Sequence, residues 1–292
     1  SQNRAPVLIQ GQTGTGKELT ARVIHRNSLF GKEPFITFDC SAMVESLMES
    51  ELFGHEKGAF TGATHTKEGK IQLAGNGTLF LDEVGELPLA MQGKFLGFLQ
   101  RHEYMRVGGN QSLASRCRIM AATNRNLANM VQKGHFRQDL YFRLKVVTLY
   151  VPPLVDRLSD IPDLVNHFLQ KINWEQGTDI SKLQKGVLDR LAAHTWPGNV
   201  RELKNVVERA VVLCGSSQIQ PDDLLLSNLA TTGDTTEVRQ WDRRSGKQLG
   251  WVLQQGIGVI SLAVDPERRL FALGTRTGLV QVWSLRSASR IL

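Results

Sequence analysis

Gly11-Gln12-Thr13-Gly14-Thr15-Gly16-Lys17 has the spacing of a loop built to hold phosphate: a glycine, four residues, a second glycine and a lysine. Glycines let the backbone turn its N–H groups inward around phosphate oxygens, and a helix starting there presents its positive end to them. Lys17 supplies the cation for the β- and γ-phosphates. Farther along, Asp82 and Glu83 stand side by side after Thr78-Leu79-Phe80-Leu81. A buried strand delivers the acids at its end to the C-terminal edge, where open α/β sheets collect ligands. Asp82 is suited to hold the water shell of Mg²⁺, and Glu83 to polarise an attacking water. Alone, the pair also fits a solvated acidic turn; the glycine loop upstream decides for the chemical reading. The two motifs imply a site for ATP with Mg²⁺.

The surrounding elements must position these groups. Residues 7–9 form a short apolar run before the loop, and 18–26 carry a helical pattern after it. Apolar runs at 7–9, 35–38, 78–82, 117–123 and 146–151 alternate with helical patterns, which predicts an α/β domain over 1–152 with a parallel sheet flanked by helices. Pro152-Pro153 breaks that alternation. Ile161, Leu164, Val165, Phe168, Leu169 and Ile172 recur at three- and four-residue spacing, and further helices are expected near 186–194 and 200–213. Residues 153–228 are therefore expected to form a small helical lid. Residues 227–236 have the composition of a linker.

The remaining segment, 229–292, changes character. Val238-Arg239-Gln240-Trp241 and Val280-Gln281-Val282-Trp283 share Val-x-x-Trp, with strand-like runs and turns at 265–268 and 277–278 between them. The spacing falls in the ~40–45 residue period of WD-type propeller blades, and the segment resembles one and a half such repeats. Ser284 stands where the second Trp would be followed by Asp, and the Gly-His of the repeat is absent. A closed propeller takes ~4–8 blades, so a short antiparallel β segment is the expected outcome.

The chain has 292 residues, 41% of them hydrophobic, enough for two or three domains with their own cores. Formal net charge is +7; residues 231–292 hold nine Lys/Arg against five Asp/Glu, leaving 26 against 23 elsewhere. The nucleotide-binding part thus has no basic footprint that supports direct DNA binding. Cys40, Cys117 and Cys214 lie far apart, without metal spacing, as small apolar residues of a reducing compartment. No run approaches the ~18 apolar residues of a membrane span, and the N-terminus carries no signal-peptide pattern. A cytoplasmic location without membrane contact is expected.

One further stretch is Glu51-Leu52-Phe53-Gly54-His55-Glu56-Lys57-Gly58-Ala59-Phe60-Thr61-Gly62-Ala63. Gly58 and Gly62 loosen its backbone, Ala59 and Ala63 add no bulk, and Phe60 offers one apolar anchor. With the two nucleotide motifs, this stretch makes residues 1 to about 228 resemble the central AAA+ domain of sigma-54-dependent transcriptional activators, the bacterial enhancer-binding proteins. The resemblance implies an ATPase in which Gly11, Gln12, Thr13, Gly14, Thr15, Gly16, Lys17 and Glu18 bind nucleotide. It implies that Gly58, Ala59, Phe60, Thr61, Gly62 and Ala63 form a surface loop, raised and lowered by ATP turnover, that touches sigma-54 in RNA polymerase holoenzyme. Asn124, ending Ala121-Ala122-Thr123-Asn124, matches sensor I.

Arg137 and Arg143 lie in Phe136-Arg137-Gln138-Asp139-Leu140-Tyr141-Phe142-Arg143-Leu144, the arginine-finger segment. On one helix at about 100° per residue they point roughly 120° apart, so one would reach a neighbour's γ-phosphate while the other holds the subunit contact. Trp196-Pro197-Gly198-Asn199-Val200-Arg201-Glu202-Leu203 resembles sensor II, with Arg201 reaching back to nucleotide. Asn199 with Glu202 three residues later also reads as a helix N-cap in a capping box. The resemblance further implies a homo-oligomeric ring, of six subunits.

Three residues depart from a common pattern, the first from phosphate loops in general (many members of this family share it) and the other two from the family. Glu18 follows Lys17 where general phosphate loops carry Ser or Thr, Gln12 stands where the family usually has Glu, and Asp39 where many members have an Asn that restrains the catalytic Glu. The family's upstream adenine-contacting segment, sensory domain and DNA-binding helices are not found in this sequence, which is expected to be a fragment or an unusual fusion. The competing function is a protein-binding fragment with little turnover, docking partners through the β segment. Turnover that rises with protein concentration would separate the two.

Overall fold

The computed structural model describes residues 4–42, 45–180, 182–214, 218–224 and 226, and five strands between 236 and 284. It separates into two units, Ser1–Ser227 and Asn228–Leu292. In the first unit, five strands form one sheet in the spatial order Phe35–Asp39, Thr78–Asp82, Arg118–Thr123, Val7–Gln10, Val147–Tyr150. Every neighbouring pair is parallel. All five C-terminal ends therefore share one edge: Gln10 is level with Thr123, and Asp39 with Asp82. The expected strands and their parallel pairing are present.

Alternation along each strand sorts side chains to two cores. Leu79, Leu81, Ile119 and Ala121 face one side, where Phe95, Phe98 and Leu99 of the helix Leu89–Arg101 cover them. Phe80, Met120, Ala122, Val7 and Ile9 face the other, against Ala21 of the helix Lys17–Arg26. Burial on both faces is why these strands read as continuous apolar runs rather than alternating ones.

The lid follows Pro152-Pro153. Helices Ile161–Gln176, Val187–Ala192 and Asn199–Leu213 enclose their own core. Ile161, Val165, Leu169 and Ile172 are buried in it, and Leu164 and Phe168 pack at its margin, as their spacing predicts. Trp196 is the largest side chain inside, its indole N–H donating to the Leu191 carbonyl at 2.9 Å. A buried indole needs such a partner.

Two small antiparallel ladders stand outside the sheet. Gly54–His55 pairs with Lys67–Glu68 and brackets residues 56–66; Glu103–Met105 pairs with Ser112–Ala114. In the second unit, Thr236–Trp241 pairs with Gln248–Gln255, and Val259–Asp265, Leu270–Thr275 and Val280–Ser284 form an antiparallel meander. The linker up to residue 235, Asp242 and the turns expected at 266–268 and 277–278 lie outside the described residues.

Phe95 touches the main core with no exposure. Phe95→Ala should destabilise the first unit by about 3–5 kcal/mol, the range for deleting a buried aromatic ring, measured as a shift in urea unfolding.

Candidate active site

The strand Val7–Gln10 ends into the phosphate loop, and the helix Lys17–Arg26 begins at its far end. Gly14 and Gly16 take φ of 79° and 101°, which turns the chain back on itself. Among the described residues, no acceptor is paired with the N–H groups of Gly14, Gly16, Lys17 or Glu18. These are unfilled donors at a helix N-terminus, an arrangement that fits an anion such as a phosphate chain. Lys17 is only 6% exposed. Its ammonium donates to the Gly11 and Gln12 carbonyls at 3.2 and 3.3 Å and pairs with Glu83 at 3.3 Å.

Asp82 and Glu83 arrive at the same edge from the neighbouring strand but one. Glu83 sits at φ 50°, in the left-handed region, and its second carboxylate oxygen accepts from the Asn124 N–H at 3.0 Å. The Asn124 side-chain amide donates to the Thr13 hydroxyl at 2.8 Å, tying the end of Arg118–Thr123 to the loop. Burial pushes the Asp82 carboxyl above its ordinary range, the Glu83 charge adds to this, and Lys17 opposes it. A half-buried carboxylate crowded by another acid and close to a cation fits a divalent metal's water shell. Asp39, level with Asp82, accepts instead from the Ser41 N–H and hydroxyl at 2.8 and 2.7 Å. It does not hold Glu83.

Arg201 stands in the first turn of Asn199–Leu213, its N–H donating to the Gly14 carbonyl at 3.3 Å, so the lid touches the loop directly. Asn199 is not the N-cap that its sequence context suggests. The flanking residue is Gly198, and no side chain caps the helix. Asn199 itself has φ 53°, away from the extended backbone a capping residue adopts, and its side chain turns to the phosphate loop. Glu202 keeps its half of the expected box one residue displaced, accepting from the Gly198 N–H at 2.8 Å.

Arg137 and Arg143 are not brought to this edge. Arg137 precedes the helix Gln138–Leu144 with extended φ and ψ, so the two arginines do not share one helix and the angle of roughly 120° does not apply. Their separation stands for another reason: Arg137 forms a two-pronged pair with Asp139 at 3.1 and 2.7 Å, while Arg143 donates to the Leu99 carbonyl at 3.0 Å. Gln92, fully buried, accepts from the Arg137 N–H at 2.8 Å and donates to the Leu87 and His135 carbonyls. No motif marks Gln92; its one signal is an amide on an otherwise apolar helix face.

Residues 58–63 stand apart from the nucleotide edge, at the tip of the ladder Gly54–His55 with Lys67–Glu68. The loop is closed by Gly58 N–H to Ala63 C=O at 2.8 Å and Ala63 N–H to Phe60 C=O at 3.0 Å. Phe60 is 40% exposed, Thr61 and Gly62 are exposed, Ala59 is half-buried and Ala63 is buried. The Phe60 ring rests edge-on to His55, 5.0 Å between centroids. Glu56 anchors the loop base to Arg106 at 2.7 Å and to the Thr66 hydroxyl at 2.9 Å. These contacts, Arg106 first, hold its carboxyl below the usual range.

A parallel sheet that gathers a phosphate loop, an acidic pair and an asparagine at one edge, with a helical lid folded onto the loop, defines an AAA+ nucleotide-binding fold. Residues 1–150 match the Sigma-54 interaction domain family, and 155–240 match the AAA+ ATPase lid domain. The chain belongs to the sigma-54 interaction domain family. It is 53% identical over 222 residues to the regulatory protein AtoC of Escherichia coli, covering 76% of this chain and 48% of that one. It is 50% identical over 212 residues to the nitrogen fixation protein VnfA of Azotobacter vinelandii, covering 73% and 41%. The chain spans about half the length of the curated relatives it matches.

Among solved structures, NtrX from Brucella abortus in complex with ADP superposes with a TM-score of 0.70 at 37% identity, over 76% of this chain and 50% of that one. The Saccharomyces cerevisiae Hsp104:casein complex, at 20% identity and TM-score 0.54 over 72% and 40%, shares the fold alone. The WD-repeat resemblance draws no support from these matches, and the lid match itself extends to residue 240.

Asp82 offers a stability test. Its folded carboxyl titrates above the unfolded one, so between those two pH values the native state binds more protons and stability falls as pH rises. Asp82→Asn should therefore be more stable than wild type at neutral pH. The advantage should shrink to nothing once the solution is acidic enough to protonate Asp82 in both states, measured by urea unfolding across pH.

Proposed function

We propose that this chain is the ATP-hydrolysing core of a sigma-54-dependent transcriptional activator, which remodels RNA polymerase holoenzyme through residues 58–63. The observation that carries the reading is the meeting of Lys17, Asp82, Glu83 and Asn124 at one sheet edge while Phe60 and Thr61 stand exposed on a separate ladder. In this reading Gly11–Lys17 and Glu18 bind the phosphates of ATP, with Lys17 on the β- and γ-oxygens. Asp82 holds the water shell of Mg²⁺, which when bound neutralises the charge that develops on the transferred phosphate. Glu83 accepts a proton from the attacking water, and Asn124 keeps Glu83 and Thr13 in register. Arg201 meets the nucleotide from the lid.

Arg137 or Arg143 serves the site of a neighbouring subunit in a ring, of six subunits by the family's habit. The exposed pair Arg137–Asp139 is the kind of surface contact that is readily exchanged for another anion. Arginine fingers contribute ~10³–10⁵ in rate, so turnover should rise steeply with protein concentration. Among the described residues no helix is long and apolar enough to cross a membrane. A place in the cytoplasm is part of the same reading, since RNA polymerase holoenzyme works there.

Lys17→Ala should abolish nucleotide binding, because it removes the loop's cation. Glu83→Gln should bind ATP and retain it unhydrolysed, because it loses the base and keeps the cradle. Equal loss of ATP affinity in the two variants, by equilibrium binding, would overturn the role of Glu83.

Phe60→Ala and Thr61→Ala should leave ATP hydrolysis near wild type while ending capture of sigma-54 in the presence of ADP and aluminium fluoride. Losing a single apolar anchor at the centre of a small contact costs ~2 kcal/mol or more. Parallel loss of hydrolysis and capture would make Phe60 a structural residue instead.

A further inference from the structure

We propose that Asn199 is a positioning residue that fastens the lid to the phosphate loop, so that retention of nucleotide depends on where the lid sits. This rests on the nucleotide-binding reading above. Asn199 has no exposed surface, and its φ of 53° belongs to the left-handed region that asparagine tolerates better than most side chains. Its amide nitrogen donates to the Gln12 side-chain oxygen at 3.2 Å and to the Thr13 carbonyl at 3.1 Å. Its amide oxygen accepts from the Leu154 N–H at 2.8 Å, immediately after the two prolines that lead from sheet to lid. One side chain at the start of the helix Asn199–Leu213 thus joins the loop to the segment that leads from sheet to lid.

The contact is not isolated. Three consecutive loop carbonyls are each held from the lid side: Thr13 by Asn199, Gly14 by the Arg201 N–H, and Thr15 by the Arg157 guanidinium at 2.7 Å. At Gly14 the backbones come so close that an added Cβ would lie 2.3 Å from the Gly198 carbonyl oxygen. A cradle that points its N–H groups at phosphate must point carbonyls away from it, and here the lid receives them. Of the three contacts, the one from Asn199 is made by a side chain that also holds Leu154. Displacing the lid pulls on the cradle through it, and a phosphate chain held in the cradle resists lid opening. The Asn199–Gln12 bond is between two neutral amides.

The test follows release of a fluorescent ADP analogue from the whole chain by stopped flow. Asn199→Asp, of the same size, replaces two donors by an oxygen facing the Gln12 and Thr13 oxygens; release should quicken by on the order of tenfold. Asn199→Gly keeps the positive φ at no steric cost and should quicken release by a similar factor; because it leaves the buried Leu154 N–H without its acceptor it should also lower the nucleotide-free melting temperature, which Gln12→Ala should not. Gln12→Ala should quicken it about threefold, and Gln12→Ala with Asn199→Gly no further than Asn199→Gly alone, because the two residues share one hydrogen bond. Wild-type protein that does not bind the analogue refutes the nucleotide reading itself. Binding by wild type with unchanged release in Asn199→Gly, or full additivity in the double variant, overturns the fastening role alone. If both Asn199 variants fail to fold, unchanged release in Gln12→Ala, at an exposed position, overturns it.

Discussion

A backbone that turns its N–H groups inward to meet phosphate turns its carbonyls outward, and buried carbonyls without partners are costly. Much of the first unit answers that constraint. The Gly11 and Gln12 carbonyls take the Lys17 ammonium, while those of Thr13, Gly14 and Thr15 take donors from the lid. The loop therefore draws its shape from the strand before it, the helix after it and a second subdomain folded against it. Parallel strands supply the remaining requirement, since only a common direction puts Gln10, Asp82 and Thr123 at one edge.

Charge is arranged with the same economy. Lys17 is nearly enclosed, and a buried ammonium without partners would lose its proton or unfold its surroundings. Glu83 and two carbonyls surround it. Asp82 and Asp39 are neighbours in register, but Asp39 turns to the Ser41 hydroxyl and N–H, which keeps a further carboxylate away from Lys17 and Glu83. The acid at position 39 thus has a local hydrogen-bonding outlet that leaves Glu83 to Lys17 and Asn124.

Fold class, strand positions and the nucleotide edge were legible because each rests on local physics: apolar runs buried on two faces, glycines in a tight turn, acids at a strand end. The lid helix Ile161–Gln176 was legible from its three- and four-residue period. The role of Asn199 is not legible, because Asn followed by Glu three residues later has the same letters in a capping box and in a left-handed turn; contacts distant in sequence, with Gln12, Thr13 and Leu154, accompany the second. The angle between Arg137 and Arg143 is not legible for a related reason: residue types do not fix a helix start to within one residue, and this helix begins at Gln138. Gln92 and Arg157 act through carbonyls distant in sequence, and side-chain bonds to backbone leave no pattern in residue types.

The pairing of Val7–Gln10 has a consequence for how the chain acquires its shape. Its neighbours on either side are Arg118–Thr123 and Val147–Tyr150, so the first strand to be synthesised waits for the last one of its sheet. Closing contacts over such separations costs chain entropy before any burial repays it, and topologies of this kind form slowly. The ladder Gly54–His55 with Lys67–Glu68, by contrast, closes over a short span. Its loop base is nonetheless completed only by Arg106 and Val107, and the strand before the phosphate loop gains its two sheet neighbours only with residues 118–123 and 147–150. Until the last of these strands arrives, the edges of Val7–Gln10 and its apolar side chains lack their cover, the kind of surface that chaperones recognise.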